Sequence, residues 1–288
     1  SSFSLQAQHL KTDGFSATNP KITGSSDESD YDDDKYRNSS LNMSLNKKFS
    51  QFLIGGKVYY TDANTSFDNS FYGKNPQQRA EHEIYNIFFE ENFLKNMNSR
   101  IDYDESVISL KYNYGEKIKT RQSQLRFSSN FSLNEIHSFV FGYESRNEQR
   151  NPISSGLSSR DTGSLFAGYL AKFKKYTFQL NIRNDEYDKF NGETTWFVGG
   201  SYRLNENKNF FINKSTAYGI PTAYAISTNT NLLPENHNSS EIGITYNHNK
   251  YNFRIVYFDT ETNNPITFDP SDSYKAKNFK SFKNNGLE

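Results

Sequence analysis

The sequence predicts an all-β protein, an antiparallel up-and-down transmembrane β-barrel. Three observations predict it. The apolar residues recur with period two. The chain is poor in apolar residues (34%) yet rich in aromatic ones (16%, with 25 Phe and 20 Tyr). Short polar turns alternate with long polar loops along its length. A barrel with a wet lumen needs apolar side chains only on its outer band, with aromatic girdles at the two interfaces. The high aromatic content argues against disorder.

The strands follow in order. Leu41, Met43 and Leu45 alternate with Asn42, Ser44 and Asn46. Phe52, Ile54, Gly56, Val58 and Tyr60 share the next face. Leu125, Phe127, Ser129 and Phe131 alternate with Arg126, Ser128 and Asn130, and Phe139, Phe141 and Tyr143 come after them. Tyr176, Phe178, Leu180 and Ile182 alternate with Thr177, Gln179, Asn181 and Arg183. Phe253, Ile255 and Tyr257 close the series. The pattern gives about thirteen or fourteen strands of roughly ten residues, the length a tilted membrane strand needs. Short turns fall near residues 46–48, 94–96, 133–135, 173–175, 204–207 and 247–250. Long loops are predicted over 13–35, 63–80, 150–160, 217–237 and 261–276. A soluble sandwich requires strongly apolar inner faces. Here the second face carries Arg126, Asn130, Glu144, Arg146, Asn181 and Arg183. A β-helix requires a short fixed repeat, and none is present.

Composition removes several functions. There is no Cys, hence no disulfide framework and no thiolate metal site. Net charge is zero, with 33 basic and 33 acidic residues, so no electrostatic case for nucleic acid exists. No HExxH or GxSxG motif occurs, and no catalytic residue is assigned. Asp185, Glu186 and Asp188 cluster in RNDEYDKF, a spacing open to acid/base chemistry but read first as a strand end beside a loop. A passive porin or an outer-membrane enzyme is the alternative from another class.

One stretch carries a motif. Residues 229–243 run Asn229-Thr230-Asn231-Leu232-Leu233-Pro234-Glu235 and continue to Glu241-Ile242-Gly243. This resembles the N-P-N-L-x-P-E-x-S-x-x-x-E-x-G loop motif of TonB-dependent outer-membrane receptors. Asn231, Leu232, Pro234, Glu235, Glu241 and Gly243 match; Thr230, Asn236 and His237 depart. Further segments are similar to the family in the same order: TDGF and DYDDDKYRNSSLNMSLN, FVFGYESRNEQ, RDTGSLFAGYLAKF, LNIRNDEYDKF, GETTWFVGGSYRL and the terminal NGLE. Within the family the chain is most similar to the vitamin B12 (cobalamin) receptor group.

The resemblance implies a bacterial outer-membrane location and energised uptake of a large, scarce nutrient. Cobalamin is the expected ligand, with a siderophore or heme as the alternative. It implies that residues 1–288 are part of a barrel of about 22 strands. It also implies an N-terminal plug domain, which contacts TonB, and a last set of strands; this sequence matches neither. It places candidate Ca²⁺ ligands at Asp30, Asp32 and Asp34 in an early acidic loop. Closely spaced carboxylates supply the oxygen shell that Ca²⁺ takes, and a solvated acidic loop has the same composition. Tyr218, Tyr224 and Phe190 fall near predicted extracellular loops and are candidates for packing on a large ligand; each also fits an aromatic girdle.

Overall fold

Alternation of apolar and polar side chains leaves one face of each strand for lipid and one for a wet interior, and the backbone then pairs hairpin by hairpin. The computed structural model describes residues 1–15, 33–68, 76–92, 94–115, 117–151, 159–248 and 250–288. Its strands are β1 (Ser2–Thr12), β2 (Tyr36–Lys48), β3 (Phe52–Ser66), β4 (Gln77–Glu91), β5 (Met97–Tyr112), β6 (Lys117–Ser132) and β7 (His137–Asn151). They continue as β8 (Ser159–Lys172), β9 (Tyr176–Tyr187), β10 (Glu193–Arg203) and β11 (Lys208–Gly219). A short helix, α1 (Ala223–Thr228), precedes β12 (Glu235–His248) and β13 (Tyr251–Asn263). Two small strands, β14 (Ile266–Asp269) and β15 (Lys275–Asn278), precede β16 (Ser281–Leu287). β14 and β15 pair with each other; the other fourteen form one sheet in chain order. That is the predicted all-β up-and-down topology, with the predicted strand number.

The chain divides into two compact units. The first holds residues 1–91, 101–125 and 146–154. In it Phe3, Leu5, Leu41, Met43, Leu45, Ile54, Ile87 and Phe89 are exposed. The register sets them side by side: Phe3 faces Leu45, Leu5 faces Met43, and Ile54 faces Phe89. A soluble domain does not leave so continuous an apolar face in water. On the opposite face, Phe88 of β4 is buried against Gly55 of β3, its register partner.

The second unit holds residues 92–100, 126–145 and 155–288. Tyr176, Phe178, Leu180 and Ile182 are exposed along β9, and Phe253, Ile255 and Tyr257 along β13. Tyr176 stacks on Tyr202 of β10 at 4.9 Å, and Tyr251 on Phe253 at 6.2 Å, both beside short turns. Those turns are tied locally. The Asn134 side chain accepts from the backbone N–H of Ile136 and His137, and Asn205 does the same for Asn207 and Lys208. These are Asx turns, the reason Asn recurs there.

The strands are longer than the sequence predicts. β3 to β7 have 15 or 16 residues each. Their extra residues are polar and carry the composition of loops; the 63–80 loop contracts because β3 runs to Ser66 and β4 starts at Gln77. Ion pairs between neighbouring strands hold these extensions. Arg79 Nε and Nη2 each donate to Asp62 at 2.9 Å, Lys111 reaches Glu81 at 2.8 Å, and Arg121 reaches Glu105 at 2.7 Å. β12 likewise begins at Glu235, inside the predicted 217–237 loop, pairing Glu235 with Gly219.

Candidate functional site

The loop motif folds into a knot that ties two long connections together. Thr222 caps α1, its hydroxyl accepting from the Ala225 N–H at 3.1 Å. Such a cap satisfies one of the orphan donors of a helix start. Leu232 is buried with Ala225 and Ala276, and Ile266 packs on the cluster. Polar bonds surround this small core. Asn229 Nδ2 donates to the Ala276 carbonyl at 2.9 Å, and the Ala276 N–H donates to Thr228 Oγ1 at 3.0 Å. Asn278 accepts from the Leu233 N–H and donates to the carbonyls of Leu233 and Asn264. Glu235 Oε1 accepts from the Ile266 N–H at 2.5 Å. The β11–β12 and β13–β16 connections thus share one core. Beside it Asp269 accepts from Ser271 and from Lys277. The Ser271 hydroxyl, and then the Lys277 ammonium, pull the Asp269 carboxyl down to about 2. Asp272 and Asp269 push the Lys277 ammonium up.

The inner face of the second unit carries a buried polar network. Arg183 bridges Glu144 at 3.1 Å and Asp185 at 2.8 Å and donates to Ser164 Oγ at 2.7 Å. Ser164 donates to Asp185 at 2.5 Å. Arg126 approaches Glu144 at 3.5 Å. Glu144, Ser164 and Asp185 are all buried. Charges taken out of water are tolerated when each keeps a partner, and here two carboxylates share one guanidinium. The same face repeats a second arrangement. Phe166 lies over Gly142, Phe211 over Gly243 and Phe258 over Gly286, so the rings occupy the space that glycine leaves open. Arg126 stacks on Phe166 at 5.6 Å, and Arg254 stacks on Phe211 at 5.3 Å. A guanidinium over a ring face is attracted by the ring quadrupole.

This wall has close counterparts. The profile of the family described as "TonB dependent receptor-like, beta-barrel" matches residues 3–288. The chain belongs to the TonB-dependent receptor β-barrel family. It is 22% identical to the vitamin B12 transporter BtuB of Photobacterium profundum, over 92% of this chain and 45% of that protein. It is also 22% identical to BtuB of Vibrio vulnificus, over 80% of this chain and 40% of that protein. The chain therefore spans less than half the length of these curated relatives. In three dimensions it superposes on the siderophore receptor PirA from Acinetobacter baumannii with a TM-score of 0.79 at 14% identity, covering 99% of this chain and 54% of that one. A mutant ferric enterobactin receptor, PfeA from Pseudomonas aeruginosa, crystallised with enterobactin, gives 0.78 at 15% identity, covering 99% and 55%. The family is one of transporters residing in the bacterial outer membrane.

Within this receptor barrel the sequence-predicted residues separate into groups. Tyr224 projects from α1, 56% exposed, with its ring 5.5 Å from Phe268 of β14. Tyr218, at the end of β11, donates its hydroxyl to the Asn191 carbonyl at 3.1 Å and lies 5.7 Å from Tyr187. Phe190 is half-buried in the β9–β10 turn that Asn191 belongs to. Tyr218 and Phe190 thus belong to one loop root and Tyr224 to the knot. Asp30 and Asp32 lie outside the described residues. Asp34 is half-buried at the root of β2. Gly14 passes it closely with φ +66°, a conformation and an approach that a side chain would obstruct. Among the described residues no three His or acidic groups gather as metal ligands.

The motif residues have structural tasks. Leu232 fills the knot, Glu235 holds Ile266, Gly243 lies under Phe211, and Glu241 sits 4.0 Å from Arg254. Asn231 donates its N–H to Asn229 Oδ1, and Pro234 stands immediately before β12. The Asp185-Glu186-Asp188 cluster does not converge. Asp185 is held by Arg183, while Asp188 accepts from the Asp161 N–H and contacts Lys189 at 3.3 Å. Sequence reasoning missed the Phe-over-Gly pairs. No local signal marked them: each Gly and its Phe sit on strands joined by a long connection, β7–β8, β11–β12 or β13–β16, across which register cannot be counted from a short turn.

Proposed function

We propose that this chain supplies barrel wall and outward-facing loops to a TonB-dependent outer-membrane transporter for a large, scarce nutrient, and that the nutrient is cobalamin. The observation that carries the substrate is the pair of vitamin B12 transporters aligned over 92% and 80% of the chain. The ligand is gathered by loops that include the knot with Tyr224 and the loop root with Tyr218 and Phe190. The lumen face with Arg126, Arg183 and Arg254 forms part of the passage wall. In this reading residues 1–288 are barrel, a separate plug domain closes the lumen, and TonB pulls on that plug. Ca²⁺ held by Asp30, Asp32 and Asp34 orders the early acidic loop for ligand; carboxylate oxygens at that spacing are the donor set a hard cation takes.

A second reading, a siderophore as ligand, is favoured by the fold neighbours, which include a receptor bound to enterobactin. Equilibrium binding by the intact protein separates the two. Cobalamin is expected to bind and to weaken on chelation, and the triple change of Asp30, Asp32 and Asp34 to Asn is expected to remove the chelator effect. Absence of cobalamin binding at micromolar ligand, with ferric enterobactin binding instead, overturns the substrate assignment. Non-selective solute flux through reconstituted protein without TonB would point to a porin.

A further inference from the structure

The lipid-side face of the first unit changes character abruptly. Counted across β1, β2 and β3, its rows read Phe3–Leu45–Gly56, Leu5–Met43–Val58 and Ala7–Leu41–Tyr60. Next come His9–Ser39–Asp62 and then Lys11–Arg37–Asn64. Lys11 and Arg37 are direct register partners. Like charges directly opposite on neighbouring strands repel. Lys35 stands two residues beyond Arg37 on the same face, beside Ser66, whose N–H donates to the Lys35 carbonyl at 2.8 Å. Lys11, Lys35, Arg37, Asn64, Ser66 and Gln77 line an open cavity of about 230 Å³. Among the described residues Asp13 pairs with Lys11 at 3.9 Å and the Asp62 carboxylate is engaged by both Nε and Nη2 of Arg79, but no carboxylate lines the cavity itself.

We propose that this cavity holds a phosphate group of an outer-leaflet lipid headgroup. Its height fits. Arg37 is four residues above Leu41, about 13 Å along a strand and about 10 Å along the membrane normal at a tilt of roughly 40°. Headgroups occupy that layer above the hydrocarbon. Its chemistry fits as well: a guanidinium and two ammonium groups converge, with amide and hydroxyl donors between them, and phosphate accepts from all of these. The apolar rows begin two rows below the cavity, past His9–Ser39–Asp62, so one lipid spans from acyl contacts to the cations. This favours a lipid over free phosphate.

The inference rests on the outer-membrane reading, and the test separates the two. The intact protein is reconstituted in phosphatidylcholine nanodiscs containing either bisphosphorylated lipid A or its dephosphorylated form, and bound lipid is quantified by native mass spectrometry. Retention of the phosphorylated form is expected, with affinity falling about a hundred-fold in the triple variant Lys11→Gln, Lys35→Gln, Arg37→Gln, at about fivefold per cation. The control Lys174→Gln, Lys175→Gln, at a short turn of the second unit, is expected to retain lipid as the parent does. Insertion without preference for the phosphorylated lipid overturns the site while leaving the membrane location intact. Failure of the parent to insert overturns both. Displacement of lipid A by millimolar inorganic phosphate overturns the lipid assignment in favour of a free-anion site. Heat-modifiable gel mobility establishes that the triple variant is folded; equal retention by the folded triple variant and the parent also refutes the proposal.

Discussion

Replacing Leu232 with Ala removes the largest side chain from a core of three buried residues and one partner. Truncating a buried Leu costs about 2–5 kcal/mol, depending on how far the site collapses. The knot is small and close to solvent, so the low end applies, about 2 kcal/mol. At about 1.4 kcal/mol per tenfold, that is roughly a thirty-fold rise in the open population of the knot. The wall is not expected to follow, because β11, β12 and β13 are joined by continuous ladders independent of Leu232. Amide hydrogen exchange reads both. The Ala276 and Ile266 amides, bonded to Thr228 and Glu235, are expected to lose about thirty-fold protection. The Ile242 and Ile244 amides are expected to keep theirs. Unchanged protection at Ala276 would show that the hydrogen bonds hold the knot without its core. An equal loss at Ile242 would show that loop and wall unfold together. Either result refutes the reasoning.

Three further outcomes follow from the geometry. Gly243→Val places a Cβ 2.5 Å from Phe211 Cζ and 2.8 Å from the Ile255 carbonyl oxygen, and the backbone atom cannot yield; a loss of about 1–3 kcal/mol is expected, read as a smaller folded fraction on heat-modifiability gels. Arg183→Met takes the shared cation from two buried carboxylates, leaving Glu144 with Arg126 and Asp185 with the Ser164 hydroxyl, and urea unfolding is expected to show about 3 kcal/mol of destabilisation, the low end for a broken buried pair, largely recovered when Glu144→Gln and Asp185→Asn are added. Asp269 has its folded pKa below the ordinary carboxylate value, so its contribution is present above about pH 4 and is lost as pH falls through about 2; β14–β15 exchange protection, corrected for intrinsic rates, is expected to stay flat from neutral pH to about 4 and then fall, and Asp269→Asn is expected to abolish that fall.

The membrane band was legible because lipid enforces strict alternation. Leu41, Met43 and Leu45, or Tyr176 to Ile182, can be read in only one register. The short turns were legible because Asn and Lys interrupt that alternation. The upper halves of β3 to β6 were not, since water on both faces removes the apolar signal and leaves cross-strand ion pairs such as Asp62–Arg79, which no local window sees. The knot was half legible. Its motif was visible, but the partners of Leu232 and Glu235 lie some 30 to 45 residues away at Ile266 and Ala276. The motif marks where two loops meet rather than what they hold.

The strand extensions separate two instructions in one polypeptide. The apolar rows direct insertion, and the ion-paired rows set the charge displayed outside. Exchanging the partners of a pair such as Glu105 and Arg121 reverses the local charge pattern of that display while every insertion row stays as it is. The outer surface can therefore diverge under pressure from whatever docks there, at little cost to assembly of the wall beneath it.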